Sequence, residues 1–238
     1  MLLDVIMPVF EEAATLREIA ARVLARPEVA RLIAVDDGSV DDTGATLDEL
    51  ARADGRVLVL RHPVNRGKGA AIRTALACVE ADAVVIQDAD LEYDPDEYPA
   101  LLAPIESGEA DAVFGSRYLG GGIPEGQKLS AYLANRALTL VSNRLTGLSL
   151  TDMETCYKCF TREVAGALSR ELTEDRFGIE PEITARLAAA GWRVREVPIR
   201  YRGRGRAAGK KIGPRDGLDA LRAIGLAWWR TRRRRHPP

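Results

Sequence analysis

The sequence predicts a single α/β domain, a mostly parallel sheet with helices on both faces, and three observations support that expectation. Short apolar runs alternate with stretches of helical periodicity through the first half of the chain. A polar cluster closes nearly every apolar run. The 238 residues, 46% of them hydrophobic, are enough to fill one large core.

Taken in order, LLDVIMPV, RLIAVDD, RVLVLRH, DAVVIQD and ADAVFGS read as strands. EEAATLREIAARVLA, DDTGATLDELARA, GKGAAIRTALACVE and DPDEYPALLAPIES read as the helices between them. Connections of that length call for parallel pairing, and such sheets bind ligands at the carboxyl ends of their strands. Past residue 120 the pattern changes. A Gly-rich turn leads into an amphipathic helix over 127–146, a strand near 151–160, a helix over 179–190 and the strand WRVREVPI. A basic loop, RYRGRGRAAGKKIG, and a final helix over about 214–231 complete the chain. There is no internal repeat.

Charge is divided unevenly. From Arg200 onward there are 13 Lys and Arg against 2 Asp, whereas the preceding residues hold 21 basic and 33 acidic side chains. Such a basic tail expects an anionic partner: substrate phosphates, a lipid surface or nucleic acid. No stretch approaches the ~18 consecutive apolar residues of a membrane-spanning helix, because Arg136 and Arg144 interrupt the best candidate. Three cysteines and no apolar amino-terminal leader lead to a cytoplasmic expectation.

The stretch VVIQDADLEYDP crowds Asp88, Asp90, Glu92 and Asp94 at the end of an apolar run. Like charges so placed repel unless the turn is well hydrated or a cation sits among the oxygens. Asp88 and Asp90 flank a small residue and can reach one ion, oxygen-only ligation suits Mg²⁺ or Mn²⁺, and Glu92 is a candidate third ligand. In VNRGKGAAI two glycines and a lysine lie between strand and helix, where backbone N–H groups favour anions; Arg66 and Lys68 would face them, or simply start a solvated helix. Asp36 and Asp37 can hydrogen-bond a base or ribose, while Asp41, Asp42 and Thr43 resemble a helix cap. Cys156 and Cys159 form a lone C-x-x-C with no second pair, which reads as packed small residues. The closing AIGLAWWRTRRRR, residues of a basic Trp/Arg tail over 226–238, has the composition of an interfacial helix on an anionic membrane or of a ragged tail. Its arginines have few aromatics between them, and the acidic turn repels phosphates in the absence of a cation, so nucleic acid is not an expected partner.

Together these segments resemble a family 2 glycosyltransferase of the GT-A fold, with its Rossmann-like sheet, and within it the polyprenyl-phosphate branch similar to dolichol-phosphate mannosyltransferases. The resemblance runs from about residue 3 to 225 through MPVFEE, VDDGSVDDT, NRGKGAAIRTAL, QDADLEYDP, FGSRYLGG, TDMETCYKCF and VPIRYRGR with GKKI. It implies a nucleotide-sugar and metal half over 1–120 and an acceptor half over 121–225. Pro8, Phe10, Glu12, Asp36, Asp37, Arg66, Lys68 and Asp88 would hold the nucleotide sugar. Asp88 and Asp90, with Glu92, would hold the metal, and Asp90 and Arg117 would act in catalysis. Arg117, Arg202 and Lys211 would meet the acceptor phosphate. The reaction implied is an inverting single displacement that moves a hexose from a GDP-mannose or UDP-glucose type of donor to a polyprenyl phosphate at a membrane face. The alternative acceptor is a hydroxyl of a soluble molecule or glycan, for which Asp152 or Glu154 would take the proton.

Overall fold

The protein is described here by a computed structural model that covers residues 1–203 and, beyond them, the single position Gly225. Seven strands form one sheet: β1 (Leu3–Val9), β2 (Val29–Asp36), β3 (Val57–Arg61), β4 (Ala83–Ile86), β5 (Ala112–Ser116), β6 (Lys158–Thr161) and β7 (Val194–Pro198). Their order is β3-β2-β1-β4-β6-β5-β7, and only β6 runs antiparallel, to both its neighbours. The helices are α1 (Leu16–Leu24), α2 (Thr43–Ala53), α3 (Lys68–Leu76), α4 (Tyr98–Glu106), α5 (Leu129–Thr146), α6 (Arg162–Glu171) and α7 (Ile179–Ala190).

The chain first winds outward from β1 to β3 and then returns to lay β4 on the other side of β1. Right-handed crossovers therefore place α1 and α2 together on one face and α3 on the other, where it packs on α6. The reversal between β1 and β4 opens a crevice at their carboxyl ends, the usual ligand position in such sheets. Register aligns those ends, with Val9 opposite Asp36 and Asp36 opposite Arg61. Thr15 Oγ1 donates to the Ala89 carbonyl at 3.0 Å and so ties the loop after β1 to the loop after β4.

The central strands are apolar on both faces because helices cover both. Val5, Ile6, Leu32, Ile33, Val84 and Val85 are fully buried. The expected strand near 151–160 is shorter than its apolar content implies, since residues 151–157 are taken up by side-chain anchorage and pairing begins at Lys158. The following helix α6 was not legible as a separate element. Its start is marked by Thr161, whose hydroxyl accepts from Val164 N at 3.3 Å. Of the cap expected at 41–43, Asp41 takes the Thr43 N–H while Asp42 makes no side-chain cap. Cys156 and Cys159 are both buried free thiols, as packing predicts. The final helix expected over 214–231, the basic loop beyond Gly203 and the Trp/Arg tail lie outside the described residues, Gly225 excepted.

Two glycines of NRGKG are demanded by packing. A Cβ on Gly67, which has φ +102°, would lie 2.4 Å from the Asp175 carbonyl oxygen, and one on Gly69 would lie 2.3 Å from that of Glu174. Both contacts are with backbone that cannot swing aside. We expect Gly69→Ala to cost about 1–3 kcal/mol by overpacking and to lower the melting temperature by several degrees. Gly55→Ala, which meets nothing within 4 Å, should leave it unchanged in the same calorimetric scan.

Candidate active site

The loops after β1, β2, β3 and β4 come together at one edge of the sheet, as their sequence positions require. Pro8 and Phe10 are half-buried at the end of β1. Glu12 accepts from Thr15 Oγ1 on one side, and its N–H donates to Thr43 Oγ1 on the other, so the loop after β1 is pinned to the start of α2. Asp36 and Asp37 are both buried. Asp36 accepts from Ser39 N at 2.9 Å and lies 3.8 Å from Arg61 Nε.

Asp37 is the organiser of the glycine loop. It accepts from Arg66 N at 3.0 Å and Gly67 N at 2.7 Å, and His62 Nδ1 sits 2.6 Å away with Nε2 against Thr74 Oγ1. The Arg66 and Gly67 N–H groups of NRGKG are thus already engaged by a carboxylate of the protein. Ala70 N is likewise taken by Asp175 O. Arg66 itself is exposed, whereas Lys68 turns inward.

Lys68 Nζ lies 2.8 Å from Asp88 Oδ1 and 3.3 Å from Glu180 Oε1, the latter close enough for charge pairing but not aligned as a hydrogen bond. Burial disfavours the charge on both partners. Each outweighs that burial in the other: Lys68 is held well above its usual range chiefly by Asp88, with Glu180 adding less, and Asp88 is held low by Lys68. Behind them Lys158 is completely buried, donating to the Met153 and Thr155 carbonyls and to Glu180 Oε2 and lying over the Phe114 ring. Lys158, Glu180, Lys68 and Asp88 therefore form an alternating chain of charges from the core to the strand edge.

On the acidic turn, Gln87 is wholly buried and its Oε1 accepts from both Tyr98 and Tyr157 hydroxyls, which fixes the backbone from which Asp88 and Asp90 project. Asp90 Oδ1 accepts from Glu92 N at 3.1 Å. Glu92 Oε2 accepts from the Tyr201 hydroxyl at 2.5 Å. Among the described residues no three His, Cys, Asp or Glu side chains converge as a metal cluster, so Asp88, Asp90 and Glu92 are not a ready-made cage. The reason is visible in their partners: Lys68 draws on Asp88 and Tyr201 on Glu92. Two hard oxygen donors on one turn, in a crevice with more carboxylates than cations, still fit a divalent ion whose remaining positions go to phosphates.

Arg117 and Asp152 close the other side. Asp152 is fully buried and accepts from Arg117 N, Nε and Nη2 and from Asn135 Nδ2, while Glu196 accepts from the Thr151 and Asp152 N–H groups. Burial works against the Arg117 charge, but Asp152 holds it well above its usual range, and its guanidinium lies 5.2 Å from the Tyr201 ring centroid. Asp152 is thereby a holder for Arg117. Glu154 is different: its Oε1 is buried with no hydrogen-bond partner among the described residues, and burial, reinforced by repulsion from Glu180, pushes its carboxyl up to about 7. Arg202 is exposed where its N–H donates to Glu92 O, and Lys211 lies outside the described residues.

Glu180, Lys158, Asn135 and Glu196 were not singled out by the sequence. The signal for Glu180 was present in IEPEITARL, where acids interrupt a helix that is buried from Ile179 to Leu187. Removing Glu180 leaves two buried cations with less compensation, so Glu180→Ala should lower the urea midpoint by about 3–5 kcal/mol worth of stability. The pair Lys158→Met with Glu180→Leu should recover most of it. For Glu154 the native carboxyl stands above its unfolded value of 4.5, so its stabilising protonated form is present at low pH and lost as pH rises through about 7. Glu154→Gln should therefore melt higher than the parent at pH 8.5, with the difference closing toward pH 5.

The family model "Glycosyl transferase family 2" matches residues 4–168. Polyprenol monophosphomannose synthase of Mycolicibacterium smegmatis is 32% identical over 215 residues, 88% of this chain and 80% of that protein. Undecaprenyl-phosphate mannosyltransferase of Micrococcus luteus is 30% identical over 200 residues, 82% of each. Among solved structures, glucosyl-3-phosphoglycerate synthase from Mycobacterium tuberculosis, in complex with Mn²⁺, UDP-glucose and phosphoglyceric acid, superposes with a TM-score of 0.70 at 23% identity, over 96% of this chain and 80% of that one. That likeness establishes the GT-A fold. With the acidic turn at the switch crevice and a family match over most of its length, the chain belongs to glycosyl transferase family 2 and is a hexosyltransferase.

Proposed function

We propose that the protein moves a hexose from a nucleotide sugar to a polyprenyl phosphate, with Asp88 and Asp90 holding Mg²⁺ or Mn²⁺. The observation that carries this reading is the pair of carboxylates projecting from a turn fixed by Gln87, at the crevice between β1 and β4, with Lys68 and Arg117 on either side. The names of the Mycolicibacterium and Micrococcus relatives support the lipid phosphate as acceptor.

When bound, the ion would neutralise the donor diphosphate and make it a better leaving group. The chain's own residues do the rest. Asp36, buried at the end of β2, offers a carboxylate for the donor's base or ribose hydroxyls, and Pro8 and Phe10 an apolar surface beside it. Lys68, drawn to Asp88 in this structure, is a cation within reach of the same phosphates once Asp88 has another positive partner. Arg117, aimed by Asp152 and Tyr201, presents a fixed guanidinium to the acceptor phosphate. A phosphate oxygen is ionised near neutral pH and attacks without a general base, so binding and alignment supply most of the catalysis.

One observation favours a second acceptor class. A hydroxyl must lose its proton, and Glu154, with an unpartnered oxygen and a carboxyl near 7, is suited to accept it. The two readings separate in one experiment: labelled GDP-mannose and UDP-glucose are supplied with Mg²⁺ or Mn²⁺ and with both polyprenyl phosphate and a soluble glycan bearing free hydroxyls. We expect an organic-extractable labelled product, loss of at least 100-fold in kcat/KM for Asp90→Ala with an unchanged melting temperature, and nearly full kcat for Glu154→Gln. Product confined to the aqueous phase, together with collapse of kcat in Glu154→Gln, assigns a hydroxyl acceptor instead.

A further inference from the structure

The loop between β3 and α3, residues 62–67, is closed at both ends by one carboxylate. Asp37 Oδ1 lies 2.6 Å from Nδ1 of His62, the loop's first residue, and accepts from Arg66 N at 3.0 Å, while Oδ2 accepts from N of Gly67, its last, at 2.7 Å. The loop also lies directly on the backbone that follows Asp37. A Cβ on Gly38, which has φ +75°, would meet the Val64 carbonyl carbon at 2.5 Å and Asn65 N at 2.6 Å. Asp37 and His62 are both buried. Buried carboxylate oxygens must find donors inside the protein; here two come from the loop's own backbone and the third is the imidazole.

The ring is itself held. A carboxylate only accepts, so Nδ1 carries a proton, and Nε2 rests 2.9 Å from Thr74 Oγ1, a hydroxyl that can donate or accept. Thr74 belongs to α3, so His62 joins the carboxyl ends of β2 and β3 to the helix whose first residue is Lys68. Turning the ring away would cost Asp37 a donor and Thr74 its partner together. What this anchorage carries is cationic: Arg66 is exposed on the loop, and Lys68 follows Gly67 with its Nζ 2.8 Å from Asp88. Gly67 in turn is fixed by its N–H on Asp37 and by the Asp175 carbonyl oxygen, 2.4 Å from where a Cβ would stand. We propose that His62 is a positioning residue for the donor diphosphate: by locking Asp37 onto the loop it sets where Arg66 and Lys68 stand against the phosphates. His62 itself touches no substrate. The assignment rests on the nucleotide-sugar reading of the crevice and is independent of the acceptor.

The test compares His62→Asn with His62→Gln, because an asparagine amide N–H can take the place of Nδ1–H and a glutamine amide that of Nε2. Binding of UDP and GDP with Mg²⁺, and of uridine and guanosine, is followed by NMR titration of the full chain without acceptor, alongside circular-dichroism melts. His62→Asn should keep diphosphate affinity close to the parent's. His62→Gln should lose it by about tenfold or more, while both variants bind the nucleosides as the parent does. Two results overturn the proposal. One is parent-like diphosphate affinity in both variants. The other is loss of nucleoside and diphosphate affinity in equal proportion and in step with the melting temperature, which reduces His62 to a part of the core. A parent that binds neither diphosphate fails at the prior step: it removes the nucleotide-sugar reading, and this proposal with it.

Discussion

Buried charge of one sign survives only beside charge of the other, and the alternation Lys158, Glu180, Lys68, Asp88 is the constraint around which this protein is assembled. It joins β6, α7, α3 and the loop after β4, elements far apart in the chain. Lys158 is anchored at the inner end by carbonyls as well as by Glu180, so it cannot leave. Asp88, at the outer end and only partly buried, is the member of the series that can exchange its cation. Lys68 thus has a second carboxylate, Glu180, to fall back on should Asp88 take another cation.

The rest of the crevice is stiffened by the same economy of polar groups. Asp37 fixes the glycine loop, Gln87 fixes the acidic turn through two tyrosine hydroxyls, and Asp152 fixes Arg117. Each anchor is buried, so each must be satisfied by the protein, and satisfying it positions an exposed neighbour. Glu154 stands apart because one of its oxygens has no partner among the described residues. Helix α5 extends the logic to the surface: by turning its polar residues toward Asp152 and Met153 it is left with leucines for its outer face.

The early strands and helices were legible from local pattern, because parallel strands buried on both faces are continuous apolar runs and the helices between them keep their own period. The antiparallel sense and short extent of β6, and helix α6 altogether, were not. Residues 151–160 carry enough apolar character for a strand, yet their backbone and side chains are diverted to hold Arg117 and Lys158, and nothing local announces such a diversion. The glycines of NRGKG read either as a cradle for an anion or as a simple helix start; the structure shows both making room for the Glu174–Asp175 backbone, with the Arg66 and Gly67 N–H groups given to Asp37.

By itself the sequence determined that carboxylates, a lysine and glycines would gather at one edge of a parallel sheet, since strand ends in consecutive βαβ units must share that edge. It also carried the ordered motifs that mark the family. Only the tertiary structure decided which charges neutralise one another: that Asp37 serves the loop, that Asp152 is bound to Arg117 while Glu154 keeps an unpartnered oxygen, and that Glu180 stands between two lysines. Pairing of this kind is a matter of a few ångströms between residues as far apart in the chain as Lys68 and Glu180, and the cost of burying an unpaired charge, not any local propensity, selects it.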